Sequence, residues 1–359
     1  MHSIRTPHFR FQLGFAVVLL LSTSGCSHRQ STRTPADRTG PREVSPRRVT
    51  RLTPENVRGL FQRFQPELRV FHWGNAYLAA IASLAAYEVQ GAETVRMIRA
   101  MGFATVELVN NDSTQGFVAS NDKFVLVAFR GTQVNKWGDL KADGALCQRK
   151  ALGGLVHTGF YSALDLVWID VLTAVKAQGK TGEGWKPVWI TGHSLGGAIA
   201  LLAAVRLDRV GVPVRGTITL GQPRVGDLTF SQGFSGRERV YRITNQGDPV
   251  PLVPVRAQWI ASSKNKICPF RYLHVGVARE FRRESKDVWK PVLVTPVAKS
   301  APKAGESRVK WAARAIGSFF RKMGSMFTVT RHMMPAYLRN IWSQVPPRLR
   351  KLLPPASSF

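Results

Sequence analysis

The chain has 359 residues, 44% of them hydrophobic, which is enough apolar material for one large domain or two smaller ones without disulfide staples. Its 51 Lys and Arg against 22 Asp and Glu leave a formal net charge of +29, and three cysteines are too few for a disulfide scaffold. Such a charge points to an anionic counterpart, nucleic acid or an acidic membrane surface, or else to basic tails around a milder domain.

Residues 1–26 read as an export signal. Arg5, His8 and Arg10 precede the apolar run "FQLGFAVVLLL" and then "STSGC". The run is too short to cross roughly 30 Å of hydrocarbon. Its end resembles a bacterial lipobox, with Ser24 and Gly25 before Cys26, the residue that would carry the lipid. That implies the cell envelope of a bacterium, or a secreted or periplasmic protein if Cys26 is not lipidated. Residues 27–55, rich in Arg, Thr and Pro, read as a flexible linker, and 56–359 as the folded domain. Cys147 and Cys268 either pair or stay as thiols; spacing does not decide it.

Along the domain, "YLAAIASLAAYEV" (Tyr77 to Val89) has the small, apolar density of a buried helix. "KFVLVAFRGT" (Lys123 to Thr132) is a buried strand opening into a loop. "FYSALDLVWIDVLTAVKAQG" reads as one helix stopping at Gly179. "KPVWITG" is a strand, "AIALLAAVRL" a helix, and "VRGTITLG" and "ERVYRITNQGD" further strands. Strands alternating with helices predict an α/β domain, a mostly parallel central sheet with helices on both faces. From about 282 to 327 the chain is basic and Pro-punctuated and reads as an insertion. Within it "WAARAIGSFFRKMGSMF" (Trp311 to Phe327) has the composition of an amphipathic surface helix, or of a core helix with a basic outer face. Pro335 reads as an interruption of the final helix, and the tail after 343 as loose.

Gly192, Ser194 and Gly196 form G-x-S-x-G between a strand and a helix, with His193 beside the serine. A nucleophile on a sharp turn needs tiny neighbours, and its Oγ then projects above the sheet edge. The helix that follows aims N–H groups and its positive dipole end at the same spot. The alternative is a turn in which Ser194 only caps the helix. A serine nucleophile needs a base, and the base an acid. Of eight histidines only His274 and His332 follow Ser194. The acid candidates Asp208, Asp227, Glu238 and Asp248 lie between; Asp248 stands at the carboxyl end of a strand, where open α/β sheets place their sites. One oxyanion donor is the backbone N–H of Leu195, and the loop "FRGT" offers Thr132 as a second. No zinc-spaced cluster or calcium loop appears in the sequence, and this chemistry calls for no metal or other cofactor.

"VAFRGT", "NKWGDLKAD", "VHTGFYSAL", "ITGHSLGGAIALLAA", "TLGQPRVGD", "YRITNQGDPVPLVP" and "YLHVG" together resemble the class 3 (fungal-type) lipase family of the α/β-hydrolase fold, in family order from about Ala80 to Val277. The resemblance implies hydrolysis of lipid carboxylic esters through Ser194, Asp248 and a histidine, with Thr132 and Leu195 as oxyanion donors. It implies that Gln133 to Asp143, with Trp137, is a lid. It also implies that His274, in "YLHVG", is not the base and that His332, in "RHMMPAYL", is. The partners then expected are a lipid ester and an anionic membrane surface, not nucleic acid. An acyltransferase using the same site, or a non-enzymatic basic lipoprotein of the membrane surface, are the alternatives.

Overall fold

The computed structural model describes residues 52–88, 91–111, 113–131, 148–234, 236–254, 257–261, 267–285, 288–294 and 333–358. The chain divides after Arg48, and all described residues lie in the second unit. Cys26, Thr132, Trp137, Cys147, the segment 311–327 and His332 fall outside the described residues, and so does the side chain of Cys268.

The fold is built on one eight-stranded sheet whose order follows the chain. Strands β1 (Thr105–Asn111), β2 (Thr114–Ser120) and β3 (Val125–Phe129) pair antiparallel. From β3 onward, β4 (Val188–His193), β5 (Val214–Leu220), β6 (Val240–Asn245) and β7 (Val277–Arg283) run parallel, and β8 (Trp289–Val294) returns antiparallel. Every residue of β3, β4 and β6 is buried. Strands covered on both faces favour apolar residues, which is why β3 reads as a continuous hydrophobic run, while β6 keeps Arg242, Thr244 and Asn245 buried among its apolar residues.

Side chains alternate between two cores. On one face α1 (Trp73–Ala85) packs with Trp189, Ile218, Leu220 and Ile243 and with a helix from the far end of the chain. On the other lie α2's successors α3 (Thr158–Asp165), α4 (Trp168–Gly179) and α5 (Leu195–Arg209), with α6 (Leu228–Gly233); α2 itself is Gly91–Ala100 on the first face. The α/β architecture with a mostly parallel sheet matches the sequence expectation. No single helix among the described residues is long and apolar enough to cross a membrane.

Four details differ from it. The helix expected through Gly179 is two helices, bent by 57° at Leu166–Val167. The break leaves Leu166 exposed while Leu164, Val167 and Trp168 all point inward. The basic stretch beginning near 282 starts as sheet, because β8 pairs with β7 from Ala278↔Val294 to Arg283↔Trp289. Pro335 does not interrupt the expected final helix, α7 (Met334–Trp342), but occupies its first turn, where a missing N–H costs nothing; the short helix Pro347–Arg350 follows it. The tail after 343 is packed: Val345, Leu353 and Ala356 are buried in the core shared with α1, Tyr77 donates its hydroxyl to the Pro354 carbonyl at 2.8 Å, and Asn56 reaches Ser358. Leu52, within the expected linker, is itself buried in the same core.

Helix α7 buries Met334, Tyr337, Leu338 and Ile341, an i, i+3, i+4, i+7 stripe laid against α1. Truncating Ile341 to Ala removes a fully buried side chain and should cost about 2–5 kcal/mol of unfolding free energy. Leu352→Ala, at an exposed site of the same tail, should stay within about 0.5 kcal/mol. Urea unfolding of both variants tests the docking.

Candidate active site

Strand β4 runs into α5 through a single residue, Ser194, which adopts φ 60° and ψ −126°. That region is strained for a residue with a Cβ, and such strain is stored where surroundings over-determine it. Here they do. The Ser194 N–H donates to the Leu220 carbonyl at 2.8 Å, and the Ser194 carbonyl accepts from Gly197 at 3.0 Å. A Cβ on Gly192 would collide with the Gly196 carbonyl and lie 2.8 Å from the Gly197 nitrogen; one on Gly196 would meet the Arg130 carbonyl carbon at 2.7 Å. Both glycines are therefore required by the closeness of α5 to β4 and to the end of β3. Ser194 is 1% exposed, and its Oγ has no hydrogen-bond partner among the described residues. It heads α5 without making a side-chain cap.

Leu195 is the first residue of α5, so its N–H has no acceptor within the helix. Beside it the chain leaves β3 through Arg130 and Gly131. The Arg130 N–H donates to the Gln115 carbonyl at 2.8 Å and its guanidinium to the Gln115 side chain. A Cβ on Gly131 would lie 3.1 Å from Ser194 Cβ and 2.6 Å from the His193 carbonyl oxygen. The loop that continues to Thr132 thus starts against the serine.

Asp248 follows β6, two strand positions from β4, a spacing of about 10 Å. It is 3% exposed. Its Oδ1 accepts the Val250 N–H at 2.9 Å, and its Oδ2 accepts the Tyr337 hydroxyl at 2.5 Å. Burial, then the Asp248 charge, hold the Tyr337 phenol far above its ordinary pKa, so it remains a donor. The same phenol oxygen accepts the Asn245 N–H at 3.3 Å, and Asn340 from the next turn of α7 donates to Asn245 Oδ1 at 2.8 Å. The C-terminal helix thus sets the rotamer of a buried carboxylate at the end of β6.

The rival carboxylates have other duties. Asp227 caps α6 through the Phe230 N–H and also accepts the Leu155 N–H. Glu238 is exposed beside Arg239, and Asp208 lies in the last turn of α5. His157 is buried, stacks on Phe160 at 3.8 Å and accepts the Phe160 N–H; burial lowers its pKa to about 3, so it stays neutral. His274 is partly buried and donates Nε2–H to the Pro251 carbonyl at 2.8 Å.

His193, the last residue of β4, turns to the α1 face. Its ring lies 5.9 Å from that of Tyr87 and 5.7 Å from that of Tyr337, and Nδ1 bonds the Tyr87 hydroxyl at 2.7 Å. The described residues therefore bring Ser194, Leu195, His193, Tyr337 and Asp248 into one corner at the carboxyl ends of β4 and β6. Tyr87 and Asn245 were missed from sequence. Tyr87 closes an alanine-rich helix and carries no motif; only packing shows its hydroxyl meeting the elbow.

Residues 126–258 match the family "Lipase (class 3)". The chain is 31% identical over 182 residues to a secreted mono- and diacylglycerol lipase A of Penicillium cyclopium, covering 45% of this chain and 58% of that protein. It is 36% identical over 142 residues to a secreted mono- and diacylglycerol lipase 1 of Fusarium solani, covering 38% and 42%. The chain thus spans about half the length of the curated relatives it matches. Among solved structures it is similar to lipase II from Rhizopus niveus, 26% identical over 57% of this chain and 77% of that one, with a TM-score of 0.44.

Tyr337→Phe removes the donor to Asp248 Oδ2 while keeping the ring. Loss of that hydrogen bond to a buried carboxylate should lower unfolding free energy by about 1–3 kcal/mol. Urea denaturation of the variant beside the parent checks this; an unchanged midpoint would show that the bond does not matter.

Proposed function

We propose, from the match of residues 126–258 to the family "Lipase (class 3)", that the protein is a serine hydrolase of lipid carboxylic esters. The observation that carries the proposal is Ser194, strained at φ 60° on a strand-to-helix turn, with a buried, hydrogen-bonded carboxylate two strands away. A gap of about 10 Å between those strand ends suits one imidazole bonded to both groups.

His332 is that imidazole in this reading. Two observations support it over His274. Tyr337, which follows His332 closely in sequence, bonds Asp248, whereas His274 already donates Nε2–H to a backbone carbonyl. His332 takes the hydroxyl proton as Ser194 Oγ attacks the ester carbonyl, and Asp248 stabilises the imidazolium. The oxyanion is held by the N–H groups of Leu195 and Thr132. Collapse of the tetrahedral intermediate breaks the bond to the alcohol, which leaves with the proton from His332. Water activated by the same imidazole then attacks the acyl-enzyme and releases the carboxylic acid. Mono- and diacylglycerol lipases among the relatives make acylglycerols the first substrates to try, followed by phospholipids and simple esters.

Residues 133–143, with Trp137, act as the lid in this reading. The N-terminal signal exports the protein, in keeping with relatives named as secreted, and Cys26 is the site of lipid attachment. The basic segment 311–327 draws the enzyme to anionic membranes.

A lipid-like phosphonate should add its mass to the protein at Ser194, and Ser194→Ala should lose both the label and at least about a thousandfold in ester turnover. His332→Ala should fall comparably and His274→Ala by less than about tenfold. Absence of labelling together with inertness toward emulsified acylglycerol, phospholipid and p-nitrophenyl esters would favour a non-enzymatic surface protein. Labelling with turnover only when an alcohol acceptor is present would favour acyl transfer. Removing 311–327 should weaken sedimentation with anionic vesicles and flatten its salt dependence; unchanged binding would refute that role.

A further inference from the structure

Positive charge is not spread evenly over the domain. The sequence has no Asp or Glu after Glu306, so the packed tail brings Arg348, Arg350 and Lys351 to the surface with no carboxylate of its own. Arg350 is used internally: its guanidinium donates to the Val345 and Ser343 carbonyls, both at 2.6 Å, and closes the end of α7. Arg348 and Lys351 are exposed and make no ion pair among the described residues.

The turn that carries them lies on the start of α1. Leu349 Cδ1 stands 3.2 Å from where a Cβ on Gly74 would be, and the Leu352 N–H bonds the Leu349 carbonyl at 2.9 Å. Leu352 itself is 52% exposed. The segment leading into α1 brings more of the same. Val70 is 65% exposed, and its neighbours hold it firmly: the Arg69 carbonyl accepts the Tyr241 hydroxyl at 3.2 Å, and the Phe71 ring meets those of Trp73 and Tyr241 edge-on at 4.7 and 5.3 Å. The Arg279 guanidinium lies 5.0 Å over Phe71. Neither Arg69 nor Arg279 makes an ion pair among the described residues, while Glu67, two residues before Arg69, is taken by Arg215.

We propose that this end of the domain, with Arg69, Val70, Arg279, Arg348, Lys351 and Leu352, is a docking surface for an anionic lipid bilayer. Each exposed cation beside acidic head groups strengthens partitioning by about fivefold, and the two aliphatic tips reach the acyl boundary. Single aliphatic side chains between cations suit a head-group layer. A nucleic-acid strand asks for free aromatic faces, and here Phe71, Trp73 and Tyr241 are packed on one another. A protein partner asks for a contiguous apolar centre inside a polar rim. The surface is not the mouth of the candidate site: α1 has 13 residues, about 20 Å, and the elbow lies beyond its other end, where Tyr87 meets His193. Docking is therefore separable from catalysis, and the inference stands or falls apart from the ester-hydrolase reading.

The test is flotation of the full chain with vesicles of phosphatidylcholine containing about one-quarter phosphatidylglycerol. Arg69→Gln, Arg348→Gln and Lys351→Gln together should weaken partitioning by about 20- to 100-fold. A matched triple at exposed lysines elsewhere, Lys123→Gln, Lys176→Gln and Lys180→Gln, should change it by less than about threefold. Both triples should keep the parent's urea midpoint. Contact is read directly with an environment-sensitive dye on Val70→Cys or Leu352→Cys, in a chain whose Cys26, Cys147 and Cys268 are changed to serine. Its emission should shift to the blue on the anionic vesicles and be quenched by nitroxide lipid, whereas the same dye on Ile169→Cys, 69% exposed on the other side of the sheet, should do neither. Equal losses from the two triples overturn the proposal, as does a dye that stays in water at both Val70→Cys and Leu352→Cys. A DNA duplex bound more tightly than the vesicles, and lost with the first triple, assigns the surface to nucleic acid and overturns it as well.

Discussion

The structure depends on how closely α5 can approach the ends of β3 and β4. Ser194 holds a backbone conformation that costs on the order of 1–3 kcal/mol, and it persists only because neighbouring peptides leave no alternative. Gly192, Gly196 and Gly131 permit that approach, since a Cβ on any of them would collide with backbone or with Tyr87. Once α5 is seated, Leu195 starts a helix with an unused N–H beside the serine, and the loop after β3 is carried to the same point. Ser194 is more than a turn residue here: the sheet and α5 both bond its backbone, while its own hydroxyl makes no cap.

The opposite face of the sheet supplies the polar framework. Hydroxyls from α1 and the 3-10 turn that follows it meet β4 twice, through Ser83 and Tyr87, and α7 brings the Tyr337 hydroxyl to Asp248. His193 stands between the two tyrosines, so the α1 side of the elbow and the acid side share one buried ring. A carboxylate with 3% exposure is tolerable only with donors on its oxygens, and Asp248 has a backbone N–H on one and a phenol on the other. Helix α7 and the packed tail beyond it therefore serve the site as well as the core. The tail closes over Tyr77 through Pro354 and over Asn56 through Ser358, which anchors it to the first described elements of the domain.

Positive charge is accommodated at the surface by stacking as well as by ion pairs. Arg206 lies 4.2 Å over the Trp168 ring and bonds Asp165, and Arg149 lies 4.5 Å over Tyr161. Guanidinium groups spread over these aromatic faces keep their charge at the edge of the α/β core. Arg242 is the exception among the described residues, almost wholly buried on β6, and burial lowers its pKa to about 9.

Short-range chemistry determined what could be read without coordinates. The buried strands, the G-x-S-x-G turn and Asp248 at a strand end all follow from residues adjacent in sequence, where periodicity and glycine placement act locally. Pro335 was misjudged because proline is harmless in a first turn and disruptive only later, and the helix start was not visible in composition. The tail looked loose because its few apolar residues, Val345, Leu353 and Ala356, find partners only on α1 and its neighbours, far back in the chain. The same holds for Tyr87 on His193 and Tyr337 on Asp248: pairs separated by a hundred residues or so leave no periodic trace, and only closure of the sheet brings their hydroxyls within bonding distance.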